Sequence, residues 1–448
     1  MTLGRILGAV VFSVACSGVA YAQTPDPVAC ETQANRRKAA WATTEHSWFE
    51  TMLELQARDL ELSLCRMRAS TGQESLHHAE DFGRILLTGQ GIHPVVSTIA
   101  PGNGLAAGAA MTHEWASATK PLRYRGDAQA RVSINGSWTA GGLLTMVGSS
   151  SSLSNRHQRA IVDGSYTHIA ELSFFGLGPA SANDETRFGL NLGVGLFTFI
   201  VPAGGAFELF GQVQGLRATP LAAPSGVTSI ETRFDATSAP GLGQATTYAV
   251  VGGGVDVRYP EDEALNGYST NFGVAVRRYQ EAAGRPYSFT RTDVRWNNQY
   301  TPDTSADLGT FSVNVRLASA FAGSADQVPF YLMPTLGGAD INGDSALRSY
   351  HDYRFRAAHT LAGEIEYAHV LIDPIGVFAF YDAGTVGDRF GDLGRSVKHS
   401  AGVGATLRLG GIVFAQVYYA FGGSEGTRFN FTGNSNPTVV DSAARSVF

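Results

Sequence analysis

The 448-residue chain carries a formal charge of −6, with 16% of its residues charged, 44% hydrophobic and 53 glycines. Soluble domains carry about a quarter charged residues, so this composition argues against an ordinary soluble domain. The mild, dispersed negative charge offers no basic patch suited to nucleic acid.

Residues 1–22 have the build of a secretory signal: Arg5, then the short apolar core Ile6 to Val14, then Ala20-Tyr21-Ala22 as a small-x-small cleavage site. The apolar run is too short for a spanning helix. Cys16 raises a lipoprotein alternative through Val14-Ala15-Cys16, ranked second because Ser13 stands where a large aliphatic residue is wanted. Residues 23–94 form a helical N-terminal segment and linker. Within it, residues 31–68 hold good helix formers without proline or glycine, and Trp41, Trp48, Leu55 and Leu62 recur every seven positions beside Met52. That stripe suits packing on the protein's own barrel, with a partner-binding coiled coil as the alternative. Cys30 and Cys65 stay open: in one straight helix they lie roughly 50 Å apart at about 1.5 Å per residue, so pairing needs a hairpin near Thr43-Thr44. His77-His78 lacks partners at metal spacing and belongs to the linker.

From residue 95 to 433 the pattern becomes period two. Ala130, Val132, Ile134, Gly136 and Trp138 oppose Arg131, Ser133, Asn135 and Ser137; Phe311, Val313, Val315 and Leu317 oppose Ser312, Asn314 and Arg316; Ala401 to Leu409 repeats the scheme. Beyond the N-terminus no uninterrupted apolar stretch is long enough for a membrane helix, so strands with one apolar face predict an all-β fold, a 16-stranded antiparallel transmembrane barrel. The strands are expected near 104–115, 127–138, 141–149, 160–176, 186–200, 206–217, 225–234, 246–258, 267–279, 287–299, 309–321, 352–369, 375–386, 397–409, 411–421 and 427–433. Tight links at Thr139-Ala140, Ile372-Asp373-Pro374 and Gly410 would share one side, and the long connection 322–351 would lie on the other. Residues 434–448 are expected to be a tail beyond the last strand.

Four motifs within this stretch resemble the BamA/TamA superfamily, also called the bacterial surface antigen family. They are Phe174-Phe175-Gly176-Leu177-Gly178 with Asp184-Glu185-Thr186; Asp256-Val257-Arg258 with Pro260 and Gly267; Gly337-Gly338 followed by Leu347-Arg348-Ser349-Tyr350; and Phe380-Tyr381-Asp382-Ala383-Gly384. The chain is similar to a short member without POTRA domains. Ser349 departs from the family's glycine, leaving that backbone less free to turn. The resemblance implies that loop 322–351 folds into the lumen and that Arg348 pairs with Asp382 and with Glu366. It also implies a weak seam at strand 427–433, where Phe429, Phe431 and Gly433 lie, with strand 104–115 opposite; a closed barrel with a brief last strand is the alternative.

Asp340-Ile341-Asn342-Gly343-Asp344 resembles a calcium loop, but His351 stands where the closing glutamate belongs. Gly422-Gly423-Ser424-Glu425-Gly426 fits Gly-x-Ser-x-Gly, yet a nucleophile elbow needs a helix after it, and here a strand is expected. No enzyme, cofactor, metal or nucleic-acid partner is therefore expected. The expected function is assistance of protein insertion or translocation at the cell outer membrane, with outer-membrane lipid as surroundings and client proteins, or a periplasmic partner on residues 31–68, as partners. The alternatives are a passive solute channel, or a lipid-handling or anchor barrel with the N-terminal helix as interaction arm.

Overall fold

A computed structural model describes residues 91–116, 122–150, 157–259, 267–302, 309–342, 344–372, 375–409, 412–423 and 425–433. The expected signal, helix 31–68, cysteines, most of the linker and the tail 434–448 lie outside the described residues. The strands are β1 (Gly91–Ser97), β2 (Ala106–Ala116), β3 (Arg123–Ser133), β4 (Trp138–Ser150), β5 (His157–Phe174), β6 (Thr186–Pro202), β7 (Phe207–Ala222), β8 (Thr246–Tyr259) and β9 (Tyr268–Glu281). They continue as β10 (Phe289–Tyr300), β11 (Thr310–Ala322), β12 (Thr335–Leu336), β13 (Phe355–Arg356), β14 (His359–Ile372), β15 (Ile375–Gly387), β16 (Lys398–Leu409), β17 (Ile412–Gly423) and β18 (Gly426–Gly433). All but β12 and β13 join one 16-stranded sheet in chain order, each strand antiparallel to the next. No helix among the described residues is long and apolar enough to cross a membrane.

The alternation has a clear outer face. On β7, Phe207, Leu209 and Val213 are exposed while Glu208, Phe210, Gln212 and Gln214 are buried. On β15, Ile375, Val377 and Tyr381 point out and Phe378, Phe380 and Asp382 point in. Val251 at 61% and Val403 at 56% exposure belong to an apolar surface running across the strands, far beyond the patch a soluble monomer shows. Such a face is built for hydrocarbon.

Several sequence expectations need correction. Residues 225–234 are no strand: they lie in the connection between β7 and β8, which carries a short 3-10 turn at Ile230–Thr232. Ile230 faces inward there at 0% exposure, so its neighbours follow a packed loop rather than a ladder. The strand that completes the sixteen is β1, hidden in the sequence because Pro94 interrupts it. Proline lacks the N–H for a ladder and is tolerated on an edge, which is where β1 lies. The turn placed at Thr139-Ala140 falls instead at residues 134–137, where Gly136 has φ +91° and its N–H reaches the Ser133 carbonyl at 3.1 Å. Asn135-Gly136 is a strong hairpin signal, and the unbroken alternation through it masked the reversal. That turn shares the end of the barrel with the connection between β11 and β14, opposite to the expected side. The latter connection spans residues 323–358 and is the sixth at its end. The strand expected from 352 starts only at His359, because 350–356 belong to the loop.

Inside the loop end lies an apolar cap. Phe330 from the long loop meets Phe174 at 5.0 Å and Phe188 at 4.8 Å between ring centroids. Leu332, Tyr248, Tyr279, Phe289, Ile230 and Tyr353 complete the same cluster. Fully burying such side chains contributes about 1.5–3 kcal/mol each, so the cap ties the β7–β8 and β11–β14 connections to the strand ends.

Candidate functional site: an anchored loop and the two ends of the sheet

The long loop turns inward on a two-stranded ribbon, β12 paired with β13. Its glycine pair is dictated by space. Gly337 has φ +105° and Gly338 φ +57°. A Cβ on Gly338 would stand 2.0 Å from the Asp352 carboxylate, and one on Gly337 would stand 2.6 Å from Cβ of Arg354. Leu347 and Tyr353 also adopt positive φ, 55° and 60°, a conformation that costs roughly 1–3 kcal/mol. Their burial, at 0% and 3% exposure, offsets that cost. Ser349 is absent from the positive-φ residues, so its backbone does not require glycine; its N–H donates to Ser400 Oγ at 2.9 Å, while its own buried hydroxyl has no partner among the described residues.

Arg348 is buried against β14 and β15. Its Nε donates to Asp382 at 3.2 Å and Nη2 to the same carboxylate at 2.9 Å, a two-point fork. Nη1 reaches Glu366 at 3.0 Å and Nη2 also reaches Glu364 at 2.5 Å. The backbone N–H of residue 348 adds a bond to Asp382 at 2.9 Å, and the guanidinium stacks 3.4 Å over the Phe380 ring. Burial opposes the charge, but the Asp382 hydrogen bond and the Glu364 charge prevail and hold the guanidinium above its ordinary pKa. The geometry brings together Arg348, Asp382 and Glu366. It adds Glu364 and Phe380, which the sequence reading missed although both were within reach. Glu364 lies two residues before Glu366 and so shares its face, and the β14–β15 register sets Glu364 opposite Asp382 and Glu366 opposite Phe380.

A second anchor of opposite polarity holds the loop upstream. Asp344 pairs with Arg295 on β10 at 2.9 Å and Arg316 on β11 at 3.0 Å. Asp340 accepts the backbone N–H groups of Asn342 and Asp344, both at 2.9 Å. The segment that resembled a calcium loop thus directs Asp344 at guanidinium groups. Of the other motifs, the first meets the loop, since Gly178, at φ +84°, donates its N–H to the Arg356 carbonyl at 2.8 Å, whereas Asp256 and Arg258 lie at the opposite end of β8, away from the loop. Gly422 and Gly423 end β17 and Gly426 begins β18, so a strand follows the Gly-x-Ser-x-Gly pattern.

The expected seam would lie between the two ends of the sheet. Among the described residues β1 pairs only with β2 and β18 only with β17, leaving an open edge between strands 7 and 8 residues long. Phe429 and Phe431 project outward from β18 at 71% and 61% exposure, and Gly433 pairs with Ala415 at its end. The first strand of the sheet is β1, and the strand expected to be first, 104–115, is the second, β2.

No family model matches the chain, and no curated protein matches it either. Solved structures do. BamA from Haemophilus ducreyi lacking POTRA domains 1–3 matches with a TM-score of 0.51 at 13% identity, over 76% of this chain and 68% of that one. The barrel has the BamA fold. CdiB from Acinetobacter baumannii matches with a TM-score of 0.45 at 10% identity, over 77% of this chain and 56% of that one. This chain therefore spans just over half of the CdiB chain.

Proposed function

We propose that the protein is an outer-membrane barrel that assists insertion or translocation of other proteins through the seam between β1 and β18, with the anchored loop setting the seam's state. The observation that carries this reading is the Arg348 berth on β14 and β15 in a barrel whose first and last strands, among the described residues, are not paired with each other. Exposed edge strands present backbone groups ready to pair with another chain, which suits a client strand arriving in the membrane. The four motifs shared with the BamA/TamA superfamily point the same way, and the outward apolar face suits outer-membrane lipid.

A passive channel is the competing reading. The cap around Phe330 places aromatic rings across part of the loop end, which weighs against free conduction. Residues 31–68 would serve the leading reading as a docking arm for a periplasmic partner, and the anchor reading as an interaction arm. The deciding test is a disulfide between cysteines introduced on β1 and β18. Closing it should lower the amount of other outer-membrane proteins assembled in cells that depend on this barrel, and reduction should restore it. Unchanged assembly with the seam locked would overturn the proposal, and steady conductance in planar bilayers would favour the channel.

A further inference from the structure

We infer that Arg354 is a bracket across the seam: one buried guanidinium ties the terminal hairpin β17–β18 to the β5–β6 connection on the seam's other side. The inference deepens the proposed function and rests on its reading of the seam as the moving part.

Arg354 lies six residues beyond Arg348, immediately before β13, and its side chain is 3% exposed. Its Nε donates to Glu425, in the turn between β17 and β18, whose side chain is 7% exposed. Its other two nitrogens go elsewhere. Nη1 reaches Ser181 Oγ at 2.7 Å, and Nη2 reaches the Ser181 carbonyl at 3.0 Å and Asn183 Oδ1 at 2.5 Å. Residues 175–185 connect β5 to β6, strands that follow β1 around the wall. Phe175 and Phe355 flank the guanidinium at 5.0 and 4.7 Å. Every nitrogen of the fork is engaged, and the planar geometry fixes both directions at once.

The rest of the loop tip reinforces the terminal side. Arg428 on β18 pairs with Asp352 at 3.5 Å and donates to the Tyr350 carbonyl. The Tyr350 ring packs so closely on Gly423 of β17 that a Cβ there would lie 2.7 Å from it. At its loop end β18 is therefore held by residues 350–354 rather than by pairing to β1. Parting the two sides at that end means pulling Glu425 and Ser181 off a single cation. Arg348 docks the same short segment on the wall, so docking and seam closure become one event.

The test is amide hydrogen exchange on the whole barrel in detergent, a readout independent of assembly activity. Arg354→Ala should speed exchange in residues 426–431 and in 178–185 together, by about a hundredfold, and leave β10 and β11 as they are. Acceleration of 426–431 alone, or of neither segment, would overturn the bracket. Should Arg354→Ala fail to fold, Glu425→Gln, which keeps the cation and its Ser181 and Asn183 bonds, should still speed 426–431 while 178–185 holds; unchanged 426–431 would overturn it. If exchange behaves as expected but a locked seam leaves assembly intact, the bracket stands and the proposed function falls.

Discussion

Replacing Arg348 by Ala removes the guanidinium from between three carboxylates, and the cost can be worked from their burial. Asp382 is 1% exposed and loses a two-point fork; stripping one partner from such a buried pair costs about 3–5 kcal/mol. Glu364 and Glu366, with side chains 18% and 26% exposed, are screened by water and contribute about 1 kcal/mol or less each. The N–H of residue 348 keeps its bond to Asp382, which offsets about 1 kcal/mol of the loss. These contributions overlap, so a net loss of about 3 kcal/mol is expected, which is roughly a hundredfold in the ratio of docked to undocked loop. The assay is hydrogen exchange across residues 344–352 with limited proteolysis of the same barrel. Amides there should exchange about a hundredfold faster while the β6–β7 ladder keeps its protection. Arg348→Lys should fall between, because an ammonium keeps the charge and loses the fork. A change of less than about threefold in the Ala variant would refute the claim that this arginine holds the loop.

Gly338→Ala should be more damaging than a surface change, since the new Cβ meets Asp352 at 2.0 Å with φ at +57°; a loss of at least about 2 kcal/mol is expected, read from the urea midpoint of the folded barrel. Asp340 is pushed up to about 6, first by burial and then by the charge of Asp344. A carboxyl raised above its unfolded value of about 4 adds stability in full below that value and loses it as pH rises through about 6. Protease resistance of the loop should therefore fall between pH 4 and 7 in the natural chain and vary less in Asp340→Asn; an identical pH profile for both would refute this. Val251→Arg places a charge on the outward face at a site 61% exposed; insertion into lipid bilayers should weaken by about 2–4 kcal/mol if the site is near midplane, whereas a soluble protein would tolerate it.

Much of this architecture was legible because a barrel strand advertises itself every second residue. The outward apolar face and the last strand near 427–433 follow from period two, whereas the count of sixteen came out because the false strand 225–234 offset the missed β1. What failed was local. Pro94 concealed an edge strand, Asn135-Gly136 was overrun by an alternation that persisted through the turn, and the buried Ile230 imitated a strand in a packed loop. The Arg348–Asp382 contact came from motif resemblance, and Glu364 could have been added from parity alone. Arg354 could not: its partners Ser181, Asn183 and Glu425 sit in separate turns, and no periodicity links loop residues that meet only after the barrel has curved round. The polarity of the Asp344 anchor was hidden likewise, because Arg295 and Arg316 are opposed only by register.

The wall beneath Arg348 holds more negative charge than one guanidinium cancels: three carboxylates share it. Were the loop to swing away, Glu364 and Asp382, close enough to have shared a single nitrogen, would confront each other across adjacent strands with no cation between them. Like charges facing across a sheet repel, so the vacated berth is a recoil spring. It favours prompt return of the arginine, or capture of whatever lysine or arginine a passing chain presents.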